Sequence, residues 1–260
     1  MTHVDGSPEV LDRRVGPYGE VALRRHGALL QIIANGSFLM DTSDGRSERL
    51  LVDAALAALD PARTTPRLLL GGLGVGFSLA HASADPRWGR ITVVEREPAV
   101  VAWHREGPLA PLTRDAFADP RTELVRADLT DHLRDTPDTY DALCLDIDNG
   151  PGWTVTESNR TLYAPEGLRA CARRLRPGGV LAVWSARPSP TFEDALREAG
   201  FEGVHSEEIA VDRGVPDVVH LGLQPVWRGR GHSPYSADRT PSFRRRAQSC
   251  ADEGSPHGFR

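Results

Sequence analysis

Residues 67–77 read Arg67-Leu68-Leu69-Leu70-Gly71-Gly72-Leu73-Gly74-Val75-Gly76-Phe77, an apolar run that breaks into alternating glycines just before the helical stretch FSLAHAS. A short apolar run ended by glycine is the pattern of a strand buried on both faces. The G-x-G-x-G that follows lets backbone approach a ligand closely, and the N-terminus of the next helix offers unpaired N–H groups. A dinucleotide fingerprint would need its third glycine at position 77, where this chain has Phe77. The turn therefore suits a nucleoside ligand that carries no diphosphate.

Downstream of this turn, strand and helix patterns alternate. ITVVE is a second strand, Pro98 opens the helix PAVVAWHRE, ELVRAD is a third strand ahead of TDHLRD, and ALCLDI is a fourth. A long helix around LYAPEGLRACARRL runs to Pro177-Gly178-Gly179, followed by the strand VLAVWS and the helix TFEDALREAG. FEGVHSEEIAV and PDVVHLGL have no helical pattern between them and predict an antiparallel hairpin at the sheet edge. The expectation is an α/β fold: a doubly wound, seven-stranded, mostly parallel sheet with right-handed crossovers and its ligand beyond the carboxyl ends of the strands. Upstream, VALRRHGALLQIIANGSFLMD is broken at His26-Gly27 and Asn35-Gly36, which predicts a small β-meander. A helix from about Ser47 to Leu59 follows.

Composition bounds the rest. At 260 residues and 40% hydrophobic, the chain is one large domain with appendages. The expected division is a loose N-terminus over 1–17, the β-region and helix over 18–60, the main domain over 61–226 and a disordered tail over 227–260. That tail is rich in Arg, Gly, Ser and Pro, with seven arginines against three acids. The net charge of −5 argues against nucleic acid as a partner, and no apolar run reaches membrane length. The opening residues carry no basic or apolar leader pattern, so a cytoplasmic location is expected. There is no lysine, which excludes Schiff-base chemistry and lysine-dependent P-loops. Cys144, Cys171 and Cys250 are scattered without C-x-x-C spacing, so neither a disulfide framework nor a metal site is expected.

The chemistry gathers at the strand ends. Glu95 closes the second strand, where a carboxylate can accept from both hydroxyls of a ribose. Asp128 stands at the end of the third strand, placed either to meet an adenine amino group or to cap the following helix. The fourth strand delivers Asp146-Ile147-Asp148-Asn149-Gly150-Pro151, two acids at the mouth of the same site. Paired acids there suit recognition or deprotonation of a cationic amine; the competing reading is an Asx turn. Trp184, after the fifth strand, is placed either to wall the substrate pocket or to serve as a packing residue.

Taken together, RLLLGGLGVGFSLAHA, ITVVEREPAVVAWHR, ELVRADLTDHLR and YDALCLDIDNGP resemble the spermidine synthase (polyamine aminopropyltransferase) branch of the class I S-adenosylmethionine-dependent transferases. The resemblance runs from about Tyr18 to Leu223 and implies a Rossmann-like fold of the class I methyltransferase type. It implies that Gly72, Gly74 and Gly76 hold the tail of a sulfonium nucleoside, Glu95 its ribose and Asp128 its adenine. Asp146 matches the family's catalytic aspartate, with Asp148 a second candidate and Asn149 and Trp184 at the acceptor.

Three positions depart from the family. Gly74 stands where those enzymes carry an aspartate, Asn149 where they carry a second acid, and Glu48-Arg49-Leu50 where they carry Tyr-x-Glu. The expected function is transfer from S-adenosylmethionine or its decarboxylated form to an amine in polyamine biosynthesis, with no metal. The alternatives are a small-molecule methyltransferase, which the departures favour, and a non-catalytic nucleoside-binding protein. A small-molecule amine or other nucleophile is the expected partner; a homodimer is left open.

Overall fold

The structure, a computed structural model, describes residues 7–154, 157–211 and 214–226. The tail expected over 227–260 lies outside the described residues. The N-terminal sheet is a four-stranded antiparallel meander, β1 (Glu9–Gly16), β2 (Gly19–His26), β3 (Leu29–Ala34) and β4 (Ser37–Asp41), in that spatial order. Asn35 at φ 50° and Gly36 at φ 78° make the hairpin turn their sequence announces.

The loose N-terminus expected over 1–17 needs correction, because residues 9–16 are a paired strand; residues 1–6 lie outside the described range. β1 is dominated by charge, which hid it, but those charges have partners. Arg13 meets Glu20 at 3.2 Å, Arg25 meets Glu9 at 3.3 Å, and the Trp103 indole N–H donates to Asp12 at 2.8 Å.

Helix α1 (Arg46–Ala58) leads into a seven-stranded sheet. Its strands are β5 (Arg67–Gly71), β6 (Arg90–Glu95), β7 (Thr122–Arg126), β8 (Tyr140–Leu145), β9 (Leu175–Ser185), β10 (Glu202–Ile209) and β11 (Asp217–Leu223). The order is β10-β11-β9-β8-β5-β6-β7. β11 runs antiparallel to both β9 and β10, as the missing helix between them predicts. The helices are α2 (Phe77–Ala84), α3 (Pro98–Arg105), α4 (Ala110–Ala118), α5 (Leu129–Asp135), α6 (Glu157–Tyr163), α7 (Pro165–Arg174) and α8 (Pro190–Glu198). The single long helix expected around LYAPEGLRACARRL is two. Ala164 is extended at ψ 162°, as the residue before Pro165 is biased to be, and the helix breaks there.

Period-two alternation divides the core. Leu68, Leu70, Ala142, Cys144, Val180 and Ala182 pack on one face with α1, α2 and the N-terminal sheet. Leu69, Leu143, Leu145, Leu181 and Val183 pack on the other with α7 and α8. Both faces are covered, which is why the central strands read as unbroken apolar runs.

At the opposite end of the sheet from the glycine turn, Asp141 is 3% exposed. It accepts from the Arg67 backbone N–H at 2.8 Å and from Arg176 at 3.0 Å, and it pairs with Arg63. One carboxylate thus joins the starts of β5, β8 and β9. Asp141→Ala should cost about 2–4 kcal/mol, because two guanidinium groups lose a buried partner. Urea unfolding should show a lowered midpoint at an unchanged slope; a midpoint within error of the parent would contradict this role.

Candidate active site

The loop after β5 is pressed against the end of β8. Asp146 N–H donates to Gly71 O at 2.9 Å, and a Cβ added at Gly72 would come within 2.4 Å of the Asp146 carbonyl oxygen. A Cβ at Gly74 would meet the Met40 sulfur at 2.4 Å. That same thioether accepts from the Val75 N–H at 3.3 Å, so the N-terminal sheet braces the turn. From below, buried His104 donates through Nε2 to the Gly74 carbonyl at 2.9 Å, and its Nδ1 accepts from the Thr113 hydroxyl at 2.8 Å. Burial holds this imidazole below its usual pKa, which keeps it neutral in that tautomer.

Glu95 is buried, and each of its oxygens is already oriented. Oε2 accepts from the Leu73 N–H at 2.9 Å and Oε1 from the Glu97 N–H at 2.7 Å. Burial raises its pKa despite those two donors. Each oxygen keeps a second lone pair for a further donor. Asp128 caps the following helix and also faces the cavity. Its Oδ1 caps α5, accepting from Thr130 at 2.9 Å and Asp131 at 3.4 Å, while the side chain also lines the cavity. Its Oδ2 lies 3.5 Å from Arg96, whose guanidinium sits 4.3 Å from the centre of the Tyr18 ring and donates to Asn159 at 3.2 Å.

Asp146 is partly buried at the end of β8, and burial together with the nearby Glu48 carboxylate pushes its pKa up to about 8. Asp148 takes φ +67°, a left-handed conformation that Asp tolerates, and its side chain accepts from Asn159 at 2.8 Å and from the Asn149 N–H at 3.2 Å. The turn-forming reading of this acid is therefore realised alongside its place at the site. Between the two acids, the Tyr163 hydroxyl donates to the Ile147 carbonyl at 3.1 Å, so it fixes the loop rather than meeting a substrate. Asn149 and Trp184 are buried, and Asn149 Nδ2 and Trp184 Nε1 have no hydrogen-bond partner among the described residues.

Eight of the nine expected site residues line one cavity of about 720 Å³: Gly72, Gly74, Glu95, Asp128, Asp146, Asp148, Asn149 and Trp184. Gly76 does not. It is the cap of α2, facing Thr113 and His104, so it shapes the turn from outside the cavity. Sequence reasoning missed Met40, Arg96 and Asn159, which carry no motif, and met Glu48 only as the place of a missing tyrosine. Ten carboxyl residues and two arginines line this cavity. Such a surplus of negative charge favours cationic ligands.

No protein-family model matches the chain. It is 30% identical over 182 residues to polyamine aminopropyltransferase 2 of Pseudomonas aeruginosa, across 66% of this chain and 49% of that protein. It is 26% identical over 202 residues to polyamine aminopropyltransferase 2 of Ralstonia nicotianae, across 74% of this chain and 38% of that one. A spermidine synthase crystallised with the transition-state analogue AdoDATO superposes with a TM-score of 0.69 at 16% identity, over 84% of this chain and 74% of that one. The chain has a spermidine synthase-like fold. The spermidine synthase of Thermotoga maritima gives a TM-score of 0.65 at 15% identity, covering 84% and 73%. The chain spans less than half the length of the two curated relatives named above. Among the described residues, no helix is long and apolar enough to cross a membrane.

The raised carboxyl at Asp146 has a consequence for stability. A group whose folded pKa lies above its unfolded value of about 4 stabilises most below pH 4, and that contribution is lost as pH rises through its folded pKa near 8. Asp146→Asn removes the buried charge. The variant should match the parent in thermal unfolding at pH 3.5 and exceed it by on the order of 1–3 kcal/mol at pH 8.5. A difference that does not change between those two pH values would contradict the assignment.

Proposed function

We propose that this chain transfers an aminopropyl group from decarboxylated S-adenosylmethionine to a small-molecule amine. One observation carries the reading: Gly72, Gly74, Glu95 and Asp128 share a single cavity with Asp146, so a nucleoside and a proton acceptor meet in one space. The residues fit the nucleoside. Glu95 turns two preoriented oxygens to a ribose, Asp128 stands at the place of the adenine amino group, and the turn at Gly72 and Gly74 admits the sulfonium tail. When bound, the nucleoside supplies an electrophilic carbon beside a positively charged sulfur, which leaves as a neutral thioether.

The protein's own task is to place the amine in line and to receive a proton. An alkylamine with a pKa near 10 costs about 4 kcal/mol to present as the neutral nucleophile at pH 7. Asp146 is the acceptor of that proton. Its raised pKa belongs to the protein without a cation nearby, and an approaching ammonium group draws the carboxyl toward its ionised form. Asp148, held by Asn159 and Asn149, keeps the loop's geometry and adds negative charge near the amine.

The names of the relatives support aminopropyl over methyl transfer. A glycine at 74 removes the family's acid at that point, yet the cavity as a whole supplies enough negative charge for two cations. Incubation with a panel of amines and each nucleoside, followed by mass spectrometry, should yield a product heavier by an aminopropyl group only with the decarboxylated form. A product heavier by one methyl group from the ordinary form would overturn the proposal. Asp146→Asn should lower turnover about 100-fold or more while nucleoside affinity stays nearly unchanged. Equal loss of both would remove Asp146 from the acid–base role.

A further inference from the structure

Glu48 is 7% exposed, and its carboxyl accepts from the adjacent Ser47 hydroxyl at 3.1 Å and from its own backbone N–H. Neither donor carries a charge, so a buried acid here has a cost that packing does not explain. Its place in the fold is specific. Cys144 Sγ lies 3.6 Å from the Leu51 carbonyl and fixes α1 against β8. Leu51 follows Glu48 by three residues and Cys144 precedes Asp146 by two. From that contact, Glu48 rises about 4.5 Å along the helix and Asp146 about 6.6 Å along the strand toward the same end of the sheet. Both side chains line the cavity.

We propose that Glu48 and Asp146 act as one proton-sharing carboxyl pair that binds the acceptor's ammonium group and takes its proton, which makes Glu48 a second catalytic acid–base residue. This rests on the amine-transfer reading above. Two neighbouring carboxyls, one buried and one partly buried, do not both ionise without a cation, so the resting pair carries one proton. An arriving alkylammonium supplies the cation, and the pair's proton leaves to solvent. The ammonium then passes a proton to the pair. Its nitrogen lone pair forms the new C–N bond as the C–S bond breaks and its electrons go to sulfur. Two cations enter; one protonated secondary amine, a neutral thioether and one proton leave.

The surroundings are consistent with this role. Burial dominates the raised pKa of Glu48; its own backbone N–H, the Ser47 hydroxyl and Arg49 work against the shift, while Asp44 adds to it. Around Asp146, Cys144 and Tyr163 are held neutral by burial and by the acids themselves, Asp148 included for Tyr163, so neither competes for the proton.

Calorimetry of diaminobutane binding to the full chain at pH 7, in two buffers of different ionisation enthalpy, counts the protons released. About one proton per amine is expected for the parent, and less than half of that for Glu48→Gln. Glu48→Gln should also lower kcat about 10–100-fold and move the acid limb of the kcat pH profile to lower pH, a shift that a merely structural role would not cause. Glu48→Asp should recover part of the proton release. Amine binding to the parent without proton release, or a Glu48→Gln profile that superposes on the parent's, overturns the pair while leaving aminopropyl transfer standing. No binding of any diamine, with the nucleoside still bound, overturns the amine reading and the pair together.

Discussion

The parallel pairing of β5 with β8 is the constraint on which the rest of this molecule depends. It sets Gly71 opposite Leu145, brings the Asp146 N–H onto the Gly71 carbonyl and leaves no room for a side chain at Gly72. The glycine turn and the acid loop are therefore two ends of one rigid contact rather than two sites that happen to lie close. Because both strands are buried on both faces, this contact inherits the stability of the whole sheet.

Around that contact the protein adds supports from every direction. Met40 comes from the N-terminal sheet, His104 from α3, and Asn159 and Tyr163 from α6. Asn159 and Tyr163 are four residues apart, so one face of a short helix holds the loop at both Asp148 and Ile147. Arg96 links the two halves: it faces Asp128 after β7 on one side and Asn159 of α6 on the other. A guanidinium suits this place because its planar fork reaches several partners at once and its face stacks on Tyr18.

The sheet and its edge hairpin were legible because strand patterns and glycine turns are local signals. So was the position of each expected acid, since the end of a buried strand can be read from where the apolar run stops. Strand β1 was hidden because its stabilising contacts are charges paired with β2 and with Trp103, and no single-sequence pattern announces those. The break at Ala164 was overlooked although Pro165 marks it. Glu48, Met40 and Asn159 were out of reach for another reason. Each acts at a site built by a different segment, and only the packing of α1, β4 and α6 brings them there. The departure from the family at residues 48–50 was visible, but a substituted tyrosine gives no hint that a carboxyl now stands beside Asp146.

The contact between Gly74 and the Met40 sulfur ties two positions 34 residues apart into a single unit of change. An acid at 74 would have to displace the Met40 thioether, and a larger residue at 40 would press on the turn. A change at either position is therefore felt at the other, through the one thioether that joins the N-terminal sheet to the loop it supports.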